Sequence, residues 1–149
     1  MKDIRQDLIF LLQKGFCTPQ IAQIARKIKQ PSTTIHYNIK KLEQEGVVKT
    51  YKAVFDSRKI EKGFCTYVLL SLSPDEYGDP ERVGKELARH PEVECIDVCT
   101  GDWELVLKIQ VKDQDEYFAF VKRVLSRKGI AKTKSLVSFK QLKTEFVEL

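Results

Sequence analysis

The chain has 149 residues, 42% hydrophobic and 32% charged, with a formal net charge of +5. That balance is too apolar for a disordered chain and too charged for a membrane protein, and the length fits one ordinary domain or two small ones. The positive excess is local: residues 1–50 carry nine Lys and Arg against four Asp and Glu, whereas residues 51–149 carry seventeen of each.

Near the start, the longest apolar run is Leu8-Ile9-Phe10-Leu11-Leu12, between Asp7 and Lys14. It is far shorter than the roughly 20 residues of a bilayer span, and shorter than the core of a signal peptide. A soluble, cytoplasmic protein with no membrane partner is expected. Ile4, Leu8, Leu11 and Leu12 repeat at helical spacing, which predicts a first helix from about Lys2 to Lys14, stopped by Gly15. Thr18-Pro19 reads as an N-cap with proline in the first turn of a second helix, which should bury Ile21, Ile24, Ala25 and Ile28. Pro31 breaks that helix, and Ser32-Thr33-Thr34 opens a third with Ile35, Ile39 and Leu42 facing inward, ended by Gly46. Val47 to Phe55 reads as β-structure, a wing or hinge strand.

The polar stretch from Asp56 to Gly63 is read as a linker between a domain at 1–55 and another at 64–149. Beyond it the pattern predicts strands at Phe64–Leu72, Val93–Thr100, Glu104–Val111 and Ala131–Leu142. Helices are expected from Pro80 to about His90, capped by Asp79, and from Gln114 to about Lys128. Asp113 caps the latter, Glu116 follows three residues on, and Gly129 stops it. The fold class is therefore α+β, with an N-terminal winged helix-turn-helix followed by a ferredoxin-like βαββαβ domain. Both faces of Phe64–Leu72 are apolar: Phe64, Val68, Leu70 and Leu72 on one, Cys65, Tyr67 and Leu69 on the other. A sheet covered by helices on one side should alternate, so the second face predicts contact with another subunit.

Three helices on a basic module make a helix-turn-helix plausible, and local positive charge suits a polyanion because each neutralised phosphate releases counterions. The alternative is solvated surface of uneven charge. At 100° per residue, with Ile35, Ile39 and Leu42 inward, Thr33, Tyr37, Lys40 and Gln44 point outward. Thr34, His36 and Lys41 flank them, and Ser32 opens the helix. Hydroxyls, an imidazole, a phenol and two lysines, with no carboxylate, suit phosphates and base edges in a major groove. Glu43 and Glu45 come late in the helix, away from that face.

Three segments, in this order and spacing, make the chain resemble the Lrp/AsnC (feast/famine) family of transcriptional regulators. They are Leu8 to Lys14, Ile35 to Val48, and Cys99-Thr100-Gly101-Asp102-Trp103-Glu104. The resemblance covers nearly the whole chain. It implies a helix-turn-helix at about 21–40 and a C-terminal domain of the RAM (regulation of amino acid metabolism) type. It further implies double-stranded DNA with a near-palindromic operator as partner, and self-association into a dimer, with octamers common among such proteins. A free amino acid would be the effector, bound between subunits at Thr100, Gly101, Asp102, Trp103 and Glu104. Read without the resemblance, Gly101-Asp102 is only a hairpin turn. The chain departs from the family pattern at Lys2 and Arg5, positions usually acidic. It departs also at Lys29, where glycine often closes the turn, and at Asn38, which replaces a common arginine.

Other classes fare worse. Cys17, Cys65, Cys95 and Cys99 form no CxxC pair and have no histidine at finger spacing, so buried small hydrophobes are expected rather than metal ligands. Lys62 to Val68 resembles the aromatic strand of an RNA-recognition motif only in its first three residues, and it leads its domain instead of forming the third strand. With His36 and His90 the only histidines, and no nucleophile elbow, P-loop or dinucleotide fingerprint, neither an enzyme nor a cofactor is expected. A regulator acting without an effector remains the alternative to the ligand-responsive one.

Overall fold

The structure, a computed structural model, describes residues 4–144, and the start of the first expected helix lies outside them. The chain divides into two compact units, Met1–Phe55 and Asp56–Leu149.

The first unit holds α1 (Arg5–Gln13), α2 (Ile21–Ile28) and α3 (Ser32–Gln44). Gln20, with no side-chain cap bond, precedes α2, so Thr18-Pro19 lies ahead of the helix instead of capping it. The tight turn from α2 to α3 is made by Lys29, which adopts φ 54 and ψ 47 while its N–H donates to the Ala25 carbonyl. Pro31 at φ −59 and ψ 145 then ends the turn, as proline's fixed φ allows, and α3 begins.

Packing within this unit is thin: Ala25 and Ile35 are its buried apolar side chains among the described residues. The expected stripe of α1 is largely open, with Ile4, Leu8 and Leu11 all exposed, and Ile28 and Leu42 are exposed too. Three short helices in about 55 residues cannot remove much apolar surface from water, which is the ordinary penalty of small size. The Val47–Phe55 segment is not a strand: the four-stranded sheet of the second unit is the one sheet found among the described residues. A strand needs a neighbouring edge, and in its own unit this segment meets helices. It is tied down by a long bond from the Ala53 N–H to the Leu12 carbonyl (3.5 Å) and by the Tyr51 hydroxyl donating to Glu43 Oε1 (3.2 Å).

The second unit opens not with a bare linker but with a 3-10 turn, Ser57–Ile60, capped by Asp56. There follow β1 (Phe64–Leu72), α4 (Pro80–Leu87), β2 (Val93–Val98), β3 (Leu105–Val111), α5 (Gln114–Phe120) and β4 (Ile130–Val137). The sheet is antiparallel in the order β2-β3-β1-β4, the arrangement the βαββαβ succession requires. Both helix starts are built as the sequence reading expects. Asp79 accepts from the Arg82 N–H and Asp113 from the Glu116 N–H, while the Glu116 carboxylate reaches back to the N–H of Lys112.

The core lies between the sheet and the two helices, with Val68, Leu70, Leu105, Leu107, Ile109, Val83, Leu87 and Phe120 fully buried or nearly so. On β1 the register places Tyr67 opposite Lys108 and Leu136, and Leu69 opposite Val106 and Lys134, on the helix-free face. Tyr67 is exposed there, whereas Cys65 is buried and accepts from Gln141 Nε2 (3.4 Å).

Two helical ends and several strand ends differ from expectation: β2 stops at Val98 instead of Thr100, and β3 starts at Leu105 instead of Glu104. After Phe120 the α5 backbone widens into a π-type turn over Val121–Leu125, and both the N–H and Oγ of Ser126 bond the Val121 carbonyl. The last helix therefore stops short of Lys128. α4 likewise ends at Leu87. β4 ends at Val137 rather than Leu142, because the Ser138 N–H takes the carbonyl of Cys65 and β1 offers little backbone beyond Phe64. Of the cysteines, only Cys65 is buried; Cys95 is exposed because β2 is an edge strand and carries an irregularity between Val93 and Cys95.

Candidate DNA-reading helix and effector turn

α3 buries Ile35 and half-buries Ile39, which turns Ser32, Thr33, Thr34, His36, Tyr37, Lys40 and Lys41 to solvent. Tyr37 is 69% exposed, a large aromatic turned mostly to solvent. Lys40 pairs with Glu43 (3.5 Å) and Lys41 with Glu45 (3.8 Å), so the two glutamates expected to sit apart instead hold the lysines. Exposed pairs of this spacing contribute only about 0.3–0.5 kcal/mol, and a phosphate can displace the carboxylate. The Asn38 Nδ2 donates to the Thr34 carbonyl at 2.8 Å, which occupies one of its two N–H groups. Tyr51, missed by sequence reading, braces the far end of α3 through Glu43. Desolvation first, then that hydrogen bond and the Glu43 charge, push its hydroxyl pKa above the ordinary value.

In the second unit, Thr100, Gly101, Asp102 and Trp103 connect β2 to β3. The Cys99 N–H donates to the Glu104 carbonyl at 2.9 Å and closes the hairpin. Gly101 stands at φ 95, which L side chains rarely adopt, and this explains the glycine locally. Thr100, Gly101 and Asp102 are exposed, whereas Trp103 and Glu104 are half-buried. The Glu104 side chain is not free. Its Oε2 accepts the Leu72 N–H at 2.7 Å, where the β1–β4 register shifts between Ser71 and Leu72. One carboxylate thus fastens the turn to the end of β1, a link no local sequence signal carries because 32 residues separate the two partners. Asp102 is the exposed carboxylate left at the tip. No group of His, Cys, Asp and Glu suited to a metal occurs among the described residues.

These two features coincide with two family matches. Residues 1–49 match a winged helix-turn-helix DNA-binding family, and residues 65–147 match the Lrp/AsnC ligand binding domain. The chain belongs to the Lrp/AsnC family. It is a DNA-binding transcriptional regulator that carries a ligand-binding domain. Among its Lrp/AsnC and HTH-type relatives is an uncharacterized HTH-type transcriptional regulator of Pyrococcus furiosus, 29% identical over 126 residues, covering 84% of each chain. An AsnC family transcriptional regulator of Agrobacterium tumefaciens superposes with a TM-score of 0.77 at 25% identity, over 100% of this chain and 96% of that one. A Neisseria meningitidis regulator solved as an L-Met complex shares the fold, with a TM-score of 0.73 at 20% identity over 97% and 93% of the two chains. No helix among the described residues is long and apolar enough to cross a membrane.

Proposed function

We propose that this regulator reads a near-palindromic duplex operator with α3 and answers to a free amino acid at the Thr100–Glu104 turn. The observation that carries the DNA half is the solvent face of α3. Ser32, Thr33, Thr34, His36, Tyr37, Lys40 and Lys41 are all exposed on α3, with carboxylates only at its far end, in a unit holding the chain's whole positive excess. Lys40 and Lys41 contact phosphates, and Thr33 and Tyr37 contact base edges. The first 55 residues then form the DNA-binding domain and the remainder the effector and assembly domain.

The second half rests on the turn. Asp102 offers its carboxylate to the ammonium, backbone N–H groups of the turn take the ligand's carboxylate, and Trp103 is the adjoining residue. The L-Met bound by the Neisseria relative supports the chemical class. The protein acts as a symmetric dimer at least, joined through the helix-free face of the sheet. There Tyr67 and Leu136 stay exposed in one protomer, side by side across the β1–β4 ladder.

Lys40→Ala and Lys41→Ala are expected to weaken DNA binding on every sequence, each lowering the salt slope by about 1. Thr33→Ala and Tyr37→Ala are expected to change sequence preference instead. Fluorescence anisotropy on specific and random duplexes separates the two. Equal binding by all four variants would refute the assignment of α3. A flat Trp103 fluorescence titration with every amino acid would refute the effector and leave a regulator governed by its own concentration.

A further inference from the structure

Glu43 is the penultimate residue of α3, at the end where the helix dipole is negative and disfavours a carboxylate. Its side chain is nonetheless held on two sides. Oε1 accepts from the Tyr51 hydroxyl at 3.2 Å, and Oε2 stands 3.5 Å from Lys40 Nζ. The contact with Lys40 is the looser one. It exceeds the ~2.7–3.2 Å of a normal N–H···O bond, whereas Lys108 in the second unit reaches Glu94 at 2.8 Å. The Glu43 side chain is 33% exposed and that of Lys40 58%, so the carboxylate is drawn in beside Tyr51 while the ammonium stays in water. Tyr51 itself is half-buried and is fixed from outside α3. A Cβ on Gly15, which stands at φ 94, would come within 2.9 Å of the Tyr51 carbonyl oxygen, so the glycine lets this segment close on the end of α1. Glu45 is more exposed, and Lys41 is its only side-chain partner among the described residues.

We propose that Tyr51 is a positioning residue for DNA reading: it holds the Glu43 carboxylate back from Lys40 and so leaves that ammonium for a backbone phosphate. The inference rests on α3 as the reading helix and on Lys40 as one of its phosphate contacts. A carboxylate and a phosphate compete for the same cation. Residues three apart on a helix meet each other, so α3 cannot part Lys40 from Glu43 by itself, and a group from outside the helix must do so. The phenol does this by engaging one carboxylate oxygen, which leaves the other beyond bonding length of the ammonium. Without that hold the carboxylate is free to close on Lys40 in a charge-assisted hydrogen bond, the stronger kind, which a phosphate must then break. The hydroxyl remains a donor at neutral pH, because desolvation, and after it the Glu43 bond and charge, raise its pKa.

The test uses the full-length protein and fluorescence anisotropy on a random-sequence duplex, since a phosphate contact carries no sequence information. Tyr51→Phe keeps the ring and removes only the hydroxyl. It is expected to weaken binding by roughly two- to fourfold, because an exposed pair of this spacing shifts an equilibrium by about a factor of two and a dimer brings two helices. Glu43→Gln is expected to tighten binding by a similar factor. In the Glu43→Gln background, adding Tyr51→Phe is expected to change nothing. Glu45→Gln also removes a carboxylate from the end of α3, but there the loss caused by Tyr51→Phe is expected to persist.

An equal loss from Tyr51→Phe in the wild type and in Glu43→Gln would make Tyr51 a brace of the fold and overturn the proposal. Unchanged or tighter binding by Tyr51→Phe, with Lys40→Ala weakening it, would overturn the role of Tyr51 and leave α3 as the reading helix. Lys40→Ala that binds as wild type does would refute Lys40 as a phosphate contact, and the proposal with it.

Discussion

Lys29 holds the left-handed conformation at the turn of the DNA-reading motif, at φ 54. For a residue with a Cβ this costs about 1–2 kcal/mol, and glycine would avoid the steric part. Lys29→Gly is expected to stabilise the first unit by about 1 kcal/mol, raising its melting temperature by several degrees in a calorimetric scan. A lower melting temperature would mean that the side chain makes a compensating contact. Glu104 carries an opposite expectation. Removing its carboxylate leaves the half-buried Leu72 N–H without a partner, which costs about 1–3 kcal/mol. Glu104→Ala should therefore lower the urea midpoint of the second unit, and Glu104→Gln, which keeps an acceptor oxygen, should recover most of the loss. Equal destabilisation by both would show that the charge, not the hydrogen bond, matters. The positions of the turn were readable in the sequence; the occupation of Glu104 was not, because its partner comes from a distant strand.

Helix starts were the most legible elements, since a cap is local chemistry: Asp79 and Asp113 each accept the N–H three residues on, at 3.1 and 2.9 Å. Asp113→Ala is expected to cost about 1 kcal/mol by urea denaturation, within the usual range for lost caps. Gly84 is an interior glycine of α4 with an ordinary φ and room for a methyl group, so Gly84→Ala is expected to add about 0.5–1 kcal/mol of stability. A destabilised variant would show that the added methyl group disturbs the packing of Leu105 and Ile96 against the helix. Strand ends and β-prone connections were less legible. Val47 to Phe55 has the composition of a strand, but strands form only where an edge is offered, and its unit has none. β4 shortens for the same reason, when β1 runs out. Periodicity describes what a segment prefers, not whether a partner is present.

Across the whole molecule, the βαββαβ order, the apolar pattern of β1 and the uneven charge are visible in sequence, and they lead to the family. What sequence misplaces is burial. Ile4, Leu8 and Leu11 form the apolar repeat that predicts α1, yet they are 56%, 50% and 41% exposed in the protomer. Helical spacing marks an apolar face but does not name the surface that covers it. The same holds for the helix-free face of the sheet, where Tyr67 and Leu136 meet solvent in one protomer. Tyr67→Asp is expected to weaken self-association without unfolding the second unit, because Tyr67 lies outside its core. Multi-angle light scattering at micromolar concentration reads this directly, and an unaltered dimer would place the interface elsewhere.

In the function proposed above, α3 delivers the chain's positive charge to duplex DNA. Its most direct test is the salt dependence of operator affinity, measured by anisotropy for the full-length wild type and the Lys40→Ala/Lys41→Ala double variant. The expected result is a wild-type affinity that falls steeply with salt, and a double variant whose log–log slope is smaller by about 2. A double variant with the wild-type slope and affinity would place the phosphate contacts outside α3.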